Sequence, residues 1–300
     1  MSASSPRCGY VAVIGAPNAG KSTLVNALVG TKVSIVSSKV QTTRTRVLGI
    51  VMQDSTQIIL VDTPGIFAPN RKSRMEKAIV AAAWEGAQQV DAVAVVVDSA
   101  RKDLTETFAI LEKLESKNVI LILNKTDRVN PPDLLALSRT LNEKFAFDAT
   151  FMVSAEKGDG LPDLLKSLEK YMPEGPHLFP EDQVTDMPMR LLAAEITREK
   201  LFNELRQELP YGLTVETENW EPFDNGSVKI DQAIIIARDA HKKIILGKGG
   251  AMIKKIGEAS RLELETILEQ RVHLKLFVKV REDWMDRAEH YHLWGLDPGA

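Results

Sequence analysis

Eight consecutive residues near the start of the chain have the types and spacing that can hold a phosphate. Residues 15–22 read Gly-Ala-Pro-Asn-Ala-Gly-Lys-Ser, which is the pattern GxxxxGKS. A loop of this kind between a strand and a helix points its backbone N–H groups at phosphate oxygens, and the helix N-terminus adds a partial positive charge. The apolar run 10–14 predicts the strand, and residues 21–29 predict the helix. The sequence therefore predicts a nucleotide-phosphate site. Its members would be Gly15, Ala16, Pro17, Asn18, Ala19, Gly20, Lys21, Ser22 and Thr23.

A second polar stretch, Asp62-Thr63-Pro64-Gly65, follows a predicted strand at 57–61. A carboxylate at this strand end suits a Mg²⁺ ion beside the phosphate loop, and the N–H of Gly65 could reach a terminal phosphate. By themselves these four residues could form an ordinary turn. Their distance from the first motif favours the nucleotide interpretation, so we expect all four to line the site.

Two further stretches indicate which base is bound. Asn124-Lys125-Thr126-Asp127 follows a predicted strand at 119–123. The carboxylate of Asp127 can accept two N–H bonds from guanine, whereas adenine would leave that carboxylate buried and unpaired. Asn124 and Lys125 would support the loop and pack against the base.

The last of the four motifs, Ser154-Ala155-Glu156, follows a predicted strand at 150–153. The backbone N–H of Ala155 could bond the O6 atom of guanine. Alone, this stretch and the one at 124–127 are both ordinary polar loops. In this order behind a phosphate loop, they predict a site for a guanine nucleotide.

The elements that must position these motifs alternate between strand and helix over residues 10–172, which predicts a doubly wound α/β sheet. The turn at 54–56 is so short that the strands it joins must be antiparallel. Ligands of such sheets bind at the carboxyl ends of the strands, where all four motifs fall. The predicted strands are 10–14, 46–53, 57–61, 92–97, 119–123 and 150–153. The predicted helices are 21–29, 73–89, 105–117, 132–144 and 161–171.

The pattern changes after residue 172. Pro173-Glu174-Gly175-Pro176 breaks the helical periodicity and opens a polar, proline-containing segment. Beyond it the sequence predicts a second domain. Its predicted elements are a helix at 188–208, strands at 213–218 and 227–237, a helix ending near 270 and a strand at 272–280.

A GxxG loop, residues 247–250, opens the last of these helices. Glycines allow the backbone of a single-stranded nucleic acid to approach closely, and such a loop clamps about four nucleotides. Residues 238–261 contain seven basic and two acidic side chains, in a chain whose net charge is −3. A plain helix-entry turn on a solvated basic face is the alternative, and anionic lipid could also meet this charge. The residues predicted to contact RNA are Lys242, Lys243, Gly247, Lys248, Gly249, Gly250, Lys254 and Lys255.

The composition excludes several classes of protein. A net charge of −3 argues against a wholly basic nucleic-acid coat, so a nucleic-acid site must be a local patch. The one cysteine, Cys8, excludes an internal disulfide and indicates a reducing compartment. No apolar run is long enough for a bilayer and residues 1–7 lack a signal-peptide core, so we expect a cytoplasmic protein, monomeric by default. His290 and His292 suggest a metal site, but without a third histidine nearby we expect the tail to pack on the second domain.

The order of the four motifs resembles the translation-factor-related GTPases, and with the GxxG domain added the chain resembles the Era family. The resemblance implies a doubly wound P-loop GTPase domain at 9–175, a linker at 176–187, an α+β type II KH domain at 188–283 and a tail at 284–300. It implies GTP or GDP and Mg²⁺ as ligands. Lys21, Thr43 and Gly65 would act in hydrolysis, and Ser22, Thr43 and Asp62 would hold Mg²⁺. Thr42 is the alternative to its neighbour Thr43 as the switch threonine.

Two positions depart from signalling GTPases. Ile66 stands where those proteins keep a glutamine that orients the attacking water, so we expect slow unaided turnover, on the order of 10⁻⁴–10⁻² s⁻¹. Asn18 lies in the phosphate loop. In related GTPases an asparagine here helps to hold a potassium ion, which predicts K⁺ as a further cofactor.

What the resemblance implies about partners goes beyond the residues. It implies binding to the 3′ region of 16S rRNA, a role in assembly of the small ribosomal subunit and peripheral association with the inner membrane. In that cycle GTP would bias the orientation of the KH domain. Two rival functions remain open: a membrane-associated signalling GTPase whose second domain binds protein or lipid, and an RNA-dependent ATPase or kinase.

Overall fold

The computed structural model describes residues 5–37, 39, 42, 46–67, 74–87, 90–115, 118–282 and 284. The chain forms two compact units. The first unit runs up to Ser34 and resumes at 43–186, and the second contains 35–42 and 187–293. No helix of the described residues is both long and apolar enough to cross a membrane.

The first unit is built on a six-stranded sheet with strand order β2-β3-β1-β4-β5-β6. Only β2 is antiparallel to its neighbour, as the short turn predicts, and the other pairs are parallel. The strands are β1 (Arg7–Ile14), β2 (Val47–Gln53), β3 (Thr56–Asp62), β4 (Ala92–Asp98), β5 (Val119–Asn124) and β6 (Ala149–Met152). The helices are α1 (Lys21–Val29), α2 (Arg74–Glu85), α3 (Thr105–Leu111), α4 (Pro131–Lys144) and α5 (Leu161–Leu168).

Helices cover both faces of this sheet. Apolar side chains of α2, α3 and α4 join those of β1, β4 and β5 in one core cluster, whereas α1 contacts α5 as well as β1, β2 and β3. Strands buried on both sides read as unbroken apolar runs, which explains sequences such as AVAVVVD in β4. The predicted doubly wound fold is confirmed, with the motif loops following the carboxyl ends of β1, β3, β5 and β6.

Helix α3 is shorter than predicted. It ends at Leu111, although the sequence predicts helix up to residue 117. Beyond that point Lys113 N–H bonds the Ile110 carbonyl and Leu114 N–H bonds the Leu111 carbonyl, so the last turn tightens from an i−4 to an i−3 pattern. The apolar spacing continues through Leu114, which is why the sequence alone overestimates the length. Residues 116 and 117 lie outside the described residues, as do Ser73 and Gln89 at the predicted ends of α2.

The second unit has the order α–β–β–α–α–β, as expected for a type II KH domain. Its sheet has the order β7-β8-β9, with β7 antiparallel and β9 parallel to the central strand β8. Two apolar clusters fill the space between this sheet and its helices. The elements are α6 (Met189–Glu204), β7 (Leu213–Pro222), β8 (Val228–Ile236), α7 (Asp239–Leu246), α8 (Ala251–Leu268) and β9 (Val272–Val280).

Two features of the second unit differ from a plain reading of its sequence. Helix α6 ends at Glu204 and not at 208, because Leu205 turns into extended backbone and buries its side chain in the core. The unit also includes residues of the 35–42 segment. There the Val36 N–H donates to Glu199 Oε2 at 3.0 Å, and the Arg198 guanidinium donates to the Thr42 carbonyl.

The segment predicted as a linker, 176–187, is ordered against the first unit up to Asp186. The Ile50 N–H donates to the Val184 carbonyl at 2.9 Å, and the Leu48 N–H donates to Asp186 Oδ1 at 3.3 Å. Since β2 is an edge strand of the sheet, the segment covers backbone groups that would otherwise be open to another chain.

Gln57, fully buried on β3, holds the same segment through its side chain. Its Oε1 accepts the N–H groups of Leu178 at 2.9 Å and Phe179 at 3.0 Å. Its Nε2 donates to the Phe179 carbonyl at 2.8 Å. One amide therefore satisfies three backbone groups of the segment.

Replacing Gln57 with alanine leaves those three groups without their partner, so we expect Gln57→Ala to lower the free energy of unfolding by about 2–3 kcal/mol. Urea denaturation of the full chain measures this. The matched control is Gln53→Ala, a partly exposed glutamine on the neighbouring strand, with an expected change below about 0.5 kcal/mol. Equal effects of the two variants would contradict the role assigned to Gln57.

Candidate nucleotide and RNA sites

The loop between β1 and α1 requires glycine at both ends. Gly15 has φ of 151°, and a Cβ there would lie 2.3 Å from the Val96 carbonyl oxygen. Gly20 has φ of 93°, and a Cβ would lie 2.3 Å from Asn124 Nδ2. The loop therefore passes directly against β4 and the last residue of β5. This close packing holds the N–H groups of the loop in a fixed position.

Lys21, the first residue of α1, is buried beneath this loop. Its Nζ donates to the carbonyls of Gly15 at 3.1 Å and Ala16 at 3.0 Å. Burial lowers the pKa of Lys21 to about 8, and the negative charges of Asp62 and Glu106 oppose that shift. A phosphate group beside Nζ would favour the ammonium form, since an opposite charge raises the pKa of a lysine.

Asp62, at the end of β3, is also completely buried. Its Oδ2 accepts hydroxyl bonds from Ser22 at 2.7 Å and Ser34 at 2.6 Å. Burial raises the pKa of Asp62, whereas the two hydroxyl bonds and Lys21 lower it. Among the described residues Oδ1 has no hydrogen-bond partner. A buried carboxylate oxygen without a partner beside a serine hydroxyl fits Mg²⁺, which prefers oxygen ligands.

The rest of the Asp62 loop lies against the phosphate loop. Thr63 Oγ1 donates to the Val13 carbonyl at 2.9 Å, and the Ile66 N–H donates to the Gly15 carbonyl at 3.2 Å. A Cβ at Gly65 would lie 3.0 Å from Pro17 Cα. The side chain of Ile66 is buried in the apolar core. It is therefore directed away from solvent, as well as being unable to orient a water molecule.

Asn124 is the polar centre that joins the loops on the base side. Its Nδ2 donates to the Ala19 carbonyl at 3.0 Å, and its Oδ1 accepts the Ala155 N–H at 3.1 Å. The N–H of Ala155 is thus held by Asn124, and its contact with guanine O6 stays a prediction. Asp127 Oδ1 accepts the hydroxyl of Ser154 at 2.7 Å, and this bond lowers the pKa of Asp127. Asp127 is therefore oriented as an ionised acceptor.

Lys125 links the loop after β5 to the phosphate loop and to the end of β4. Its Nζ donates to Asp98 Oδ2 at 2.6 Å and to the Asn18 carbonyl at 2.7 Å. Asp98, the last residue of β4, is missed by sequence analysis because no motif surrounds it.

Glu156 forms an exposed ion pair with Arg128 at 2.9 Å, of the kind that contributes little to stability.

The structure brings together the predicted residues from all four motifs at one edge of the sheet. Thr43, predicted as a magnesium ligand, lies outside the described residues, so its role stays a prediction. Its neighbour Thr42 donates its hydroxyl to the Lys39 carbonyl at 2.7 Å. The structure adds Ser34 to the predicted site residues. Ser34 contacts Asp62, although its position in the sequence does not indicate a role in the site.

The GxxG loop in the second unit is shaped by positive φ angles. Gly247, Gly249 and Gly250 have φ of 72°, 60° and 79°. A Cβ at Gly247 would lie 2.7 Å from Met252 Cβ, so this glycine packs against the start of α8. A Cβ at Gly249 or Gly250 would have no described atom within 4 Å apart from its chain neighbours, so this side of the loop is open.

Lysines lie in the loop and on both sides of it along the chain. Lys243, Lys248 and Lys254 are exposed, and Lys242 is partly exposed. Lys255 is exposed but pairs with Glu204 Oε2 at 2.7 Å, so its charge is already partly compensated. Ile244, which follows Lys243 in α7, is a half-exposed apolar side chain. This combination of open glycines, cations and one aliphatic group suits a nucleic-acid backbone and its bases.

Comparison with known proteins identifies the family. Residues 10–125 match a family described as 50S ribosome-binding GTPase, and residues 208–285 match the KH domain family. The chain is 55% identical over 293 residues to GTPase Era of Afipia carboxidovorans, covering 97% of this chain and 94% of that protein. With GTPase Era of Mesorhizobium japonicum the identity is 56% over 291 residues, covering 96% and 93%.

This chain belongs to the Era family. Two solved Era structures share its fold at full length. One, in complex with MgGDPNP and nucleotides 1506–1542 of 16S ribosomal RNA, has a TM-score of 0.90 and 40% identity, covering 97% of this chain and 99% of that chain. The other, an Aquifex aeolicus Era variant bound to GDP and AlF₄⁻, has a TM-score of 0.89 and 41% identity, covering 96% and 99%. The chain is therefore a GTPase with a C-terminal KH domain, as an Era-family protein should be.

Asp127→Asn is expected to weaken GTP binding by about 100-fold and to improve binding of xanthosine triphosphate, because an amide cannot accept both N–H groups of guanine but can complement the xanthine edge. Equilibrium titration with fluorescent nucleotides measures both affinities. Asp133→Asn, at the exposed first turn of α4, is the control and should leave both unchanged. Unaltered guanine preference in Asp127→Asn would contradict the assignment.

Proposed function

We propose that this protein is a GTP-binding and GTP-hydrolysing RNA-binding switch in assembly of the small ribosomal subunit, and that it binds the 3′ region of 16S rRNA in the cytoplasm. The observation that carries the proposal is the open, lysine-flanked GxxG loop in a chain of the Era family. A solved relative of the same length holds MgGDPNP and nucleotides 1506–1542 of 16S ribosomal RNA.

The proposed hydrolytic site gives each predicted residue one role, and Thr43 takes part by resemblance alone because it lies outside the described residues. Lys21 neutralises the terminal phosphates, and the N–H of Gly65 donates to the terminal phosphate. Ser22, Asp62 and Thr43 would hold Mg²⁺, which would supply positive charge near the leaving oxygens. Because the side chain of Ile66 cannot form a hydrogen bond, hydrolysis must rely on backbone N–H groups and cations.

We propose potassium as one of those cations, with Asn18 as a ligand. Asn18 is exposed at the tip of the phosphate loop, with φ of 62°. GTP hydrolysis by the wild type should be on the order of 10-fold faster in potassium chloride than in sodium chloride, and Asn18→Ala should remove that difference. Single-turnover assays at matched ionic strength measure it. Equal wild-type rates in the two salts would overturn the potassium site.

The RNA site is tested at Gly249. Gly249→Asp places a negative charge and a strained left-handed side chain where the RNA backbone would approach. We expect affinity for an oligonucleotide of the 16S 3′ region to fall about 10-fold or more, which corresponds to about 1.4 kcal/mol, with an unchanged GTPase rate. The matched control is Gly226→Asp in the β7–β8 turn, where φ is 77° and the space is also open. Equal RNA affinity in the two variants would contradict the proposal.

Salt dependence separates RNA from the alternative partners. Binding that neutralises phosphates should weaken with salt at a log–log slope of about −0.7 per phosphate for a single strand. If the second domain binds protein instead, no RNA binding with this salt dependence should be measured. The same exposed lysines could support peripheral association with anionic headgroups of the inner membrane, and sedimentation with anionic and neutral vesicles tests that separately.

A further inference from the structure

The chain that leaves α1 is held by one side chain of that helix. Asn26 Oδ1 accepts the backbone N–H groups of Val33 and Ser34, both at 2.9 Å, and Asn26 Nδ2 donates to the Ser34 carbonyl at 2.7 Å. Asn26 therefore satisfies both backbone groups of Ser34. These three hydrogen bonds from one amide hold Ser34 more firmly than a residue of an ordinary surface loop is held.

This clamp decides where the hydroxyl of Ser34 points. Ser34 is only 2% exposed, and its Oγ lies 2.6 Å from Asp62 Oδ2. Ser22 Oγ lies 2.7 Å from the same oxygen. Two donors on Oδ2 fix the rotation of the carboxylate, and the remaining oxygen, Oδ1, has no partner within the described part of the chain.

We propose that Asn26 and Ser34 form a positioning device for the magnesium carboxylate. Ser34 does not bind the metal; it acts through Asp62. Ser22 must share its oxygen with the metal, so Ser34 is the donor that is dedicated to the carboxylate. The inference rests on the proposed Mg²⁺ site and adds to it the residues that orient its acidic member. Such outer partners of metal ligands typically contribute 10- to 100-fold to metal affinity.

The test is the Mg²⁺ dependence of nucleotide release from the full chain. Release of a fluorescent GDP analogue is followed by stopped flow over a series of free Mg²⁺ concentrations and in EDTA. For Ser34→Ala we expect the half-saturating Mg²⁺ concentration to rise about 10-fold, with the release rate in EDTA unchanged. Asn26→Ala should shift it in the same direction by a smaller factor, because the hydroxyl remains but is no longer held.

The control is Ser260→Ala in α8, which removes a buried hydroxyl that has no partner among the described side chains. It should match the wild type. A wild-type Mg²⁺ dependence of Ser34→Ala overturns the inference, and so does an equal acceleration in EDTA and in Mg²⁺, which would indicate general loosening. If Ser34→Ala does not fold, Asn26→Ala tests the inference by the same two quantities, the half-saturating Mg²⁺ concentration and the release rate in EDTA. Absence of any Mg²⁺ effect in the wild type would instead overturn the proposed metal site itself.

Discussion

Two opposite charges are buried together at the carboxyl edge of the first sheet, and the surrounding backbone is arranged to compensate them. The Lys21 ammonium is held by carbonyls of the phosphate loop, and the Asp62 carboxylate by two serine hydroxyls. Buried charges are costly unless they are paired or hydrogen-bonded. In the proposed site an anionic nucleotide would pair with the ammonium group, and a divalent cation would pair with the carboxylate. The glycines of the loop follow from the same constraint, because only they allow the backbone to approach so closely.

The base side of the site depends on two side chains that link its loops, one amide and one ammonium group. Asn124 connects the phosphate loop to the loop after β6, and Lys125 connects it to Asp98 at the end of β4. These bonds fix the positions of the loops after β1, β5 and β6 relative to one another and to the end of β4. These bonds join loops without involving the carboxylate of Asp127, which accepts the Ser154 hydroxyl instead. Recognition of guanine by that carboxylate stays a prediction. Removing one of the linking side chains should therefore affect phosphate and base recognition together.

The sequence predicts the elements and motifs well, because each has a local signature. Unbroken apolar runs identify β3 and β4, and polar tetrads after a strand identify the loops around Asp62 and Asp127. It does not predict Ser34, Gln57 or Asp98, whose partners lie far away along the chain. A serine on a carboxylate 28 positions away, or a glutamine bonded to backbone 122 positions away, has no spacing that distinguishes it from a surface residue. The predicted length of α3 is wrong, because apolar spacing does not distinguish a last α-helical turn from a tighter turn with i−3 hydrogen bonds.

In the proposed function, RNA binding by the KH domain depends on the nucleotide held by the GTPase domain. Crosslinking of the full chain to total cellular RNA, with GTP or with GDP bound and followed by sequencing, tests it most directly. We expect enrichment of the 3′ region of 16S rRNA, with a clear difference between the two nucleotide states. Specific enrichment in neither state would contradict RNA binding, and identical enrichment in both would contradict the switch.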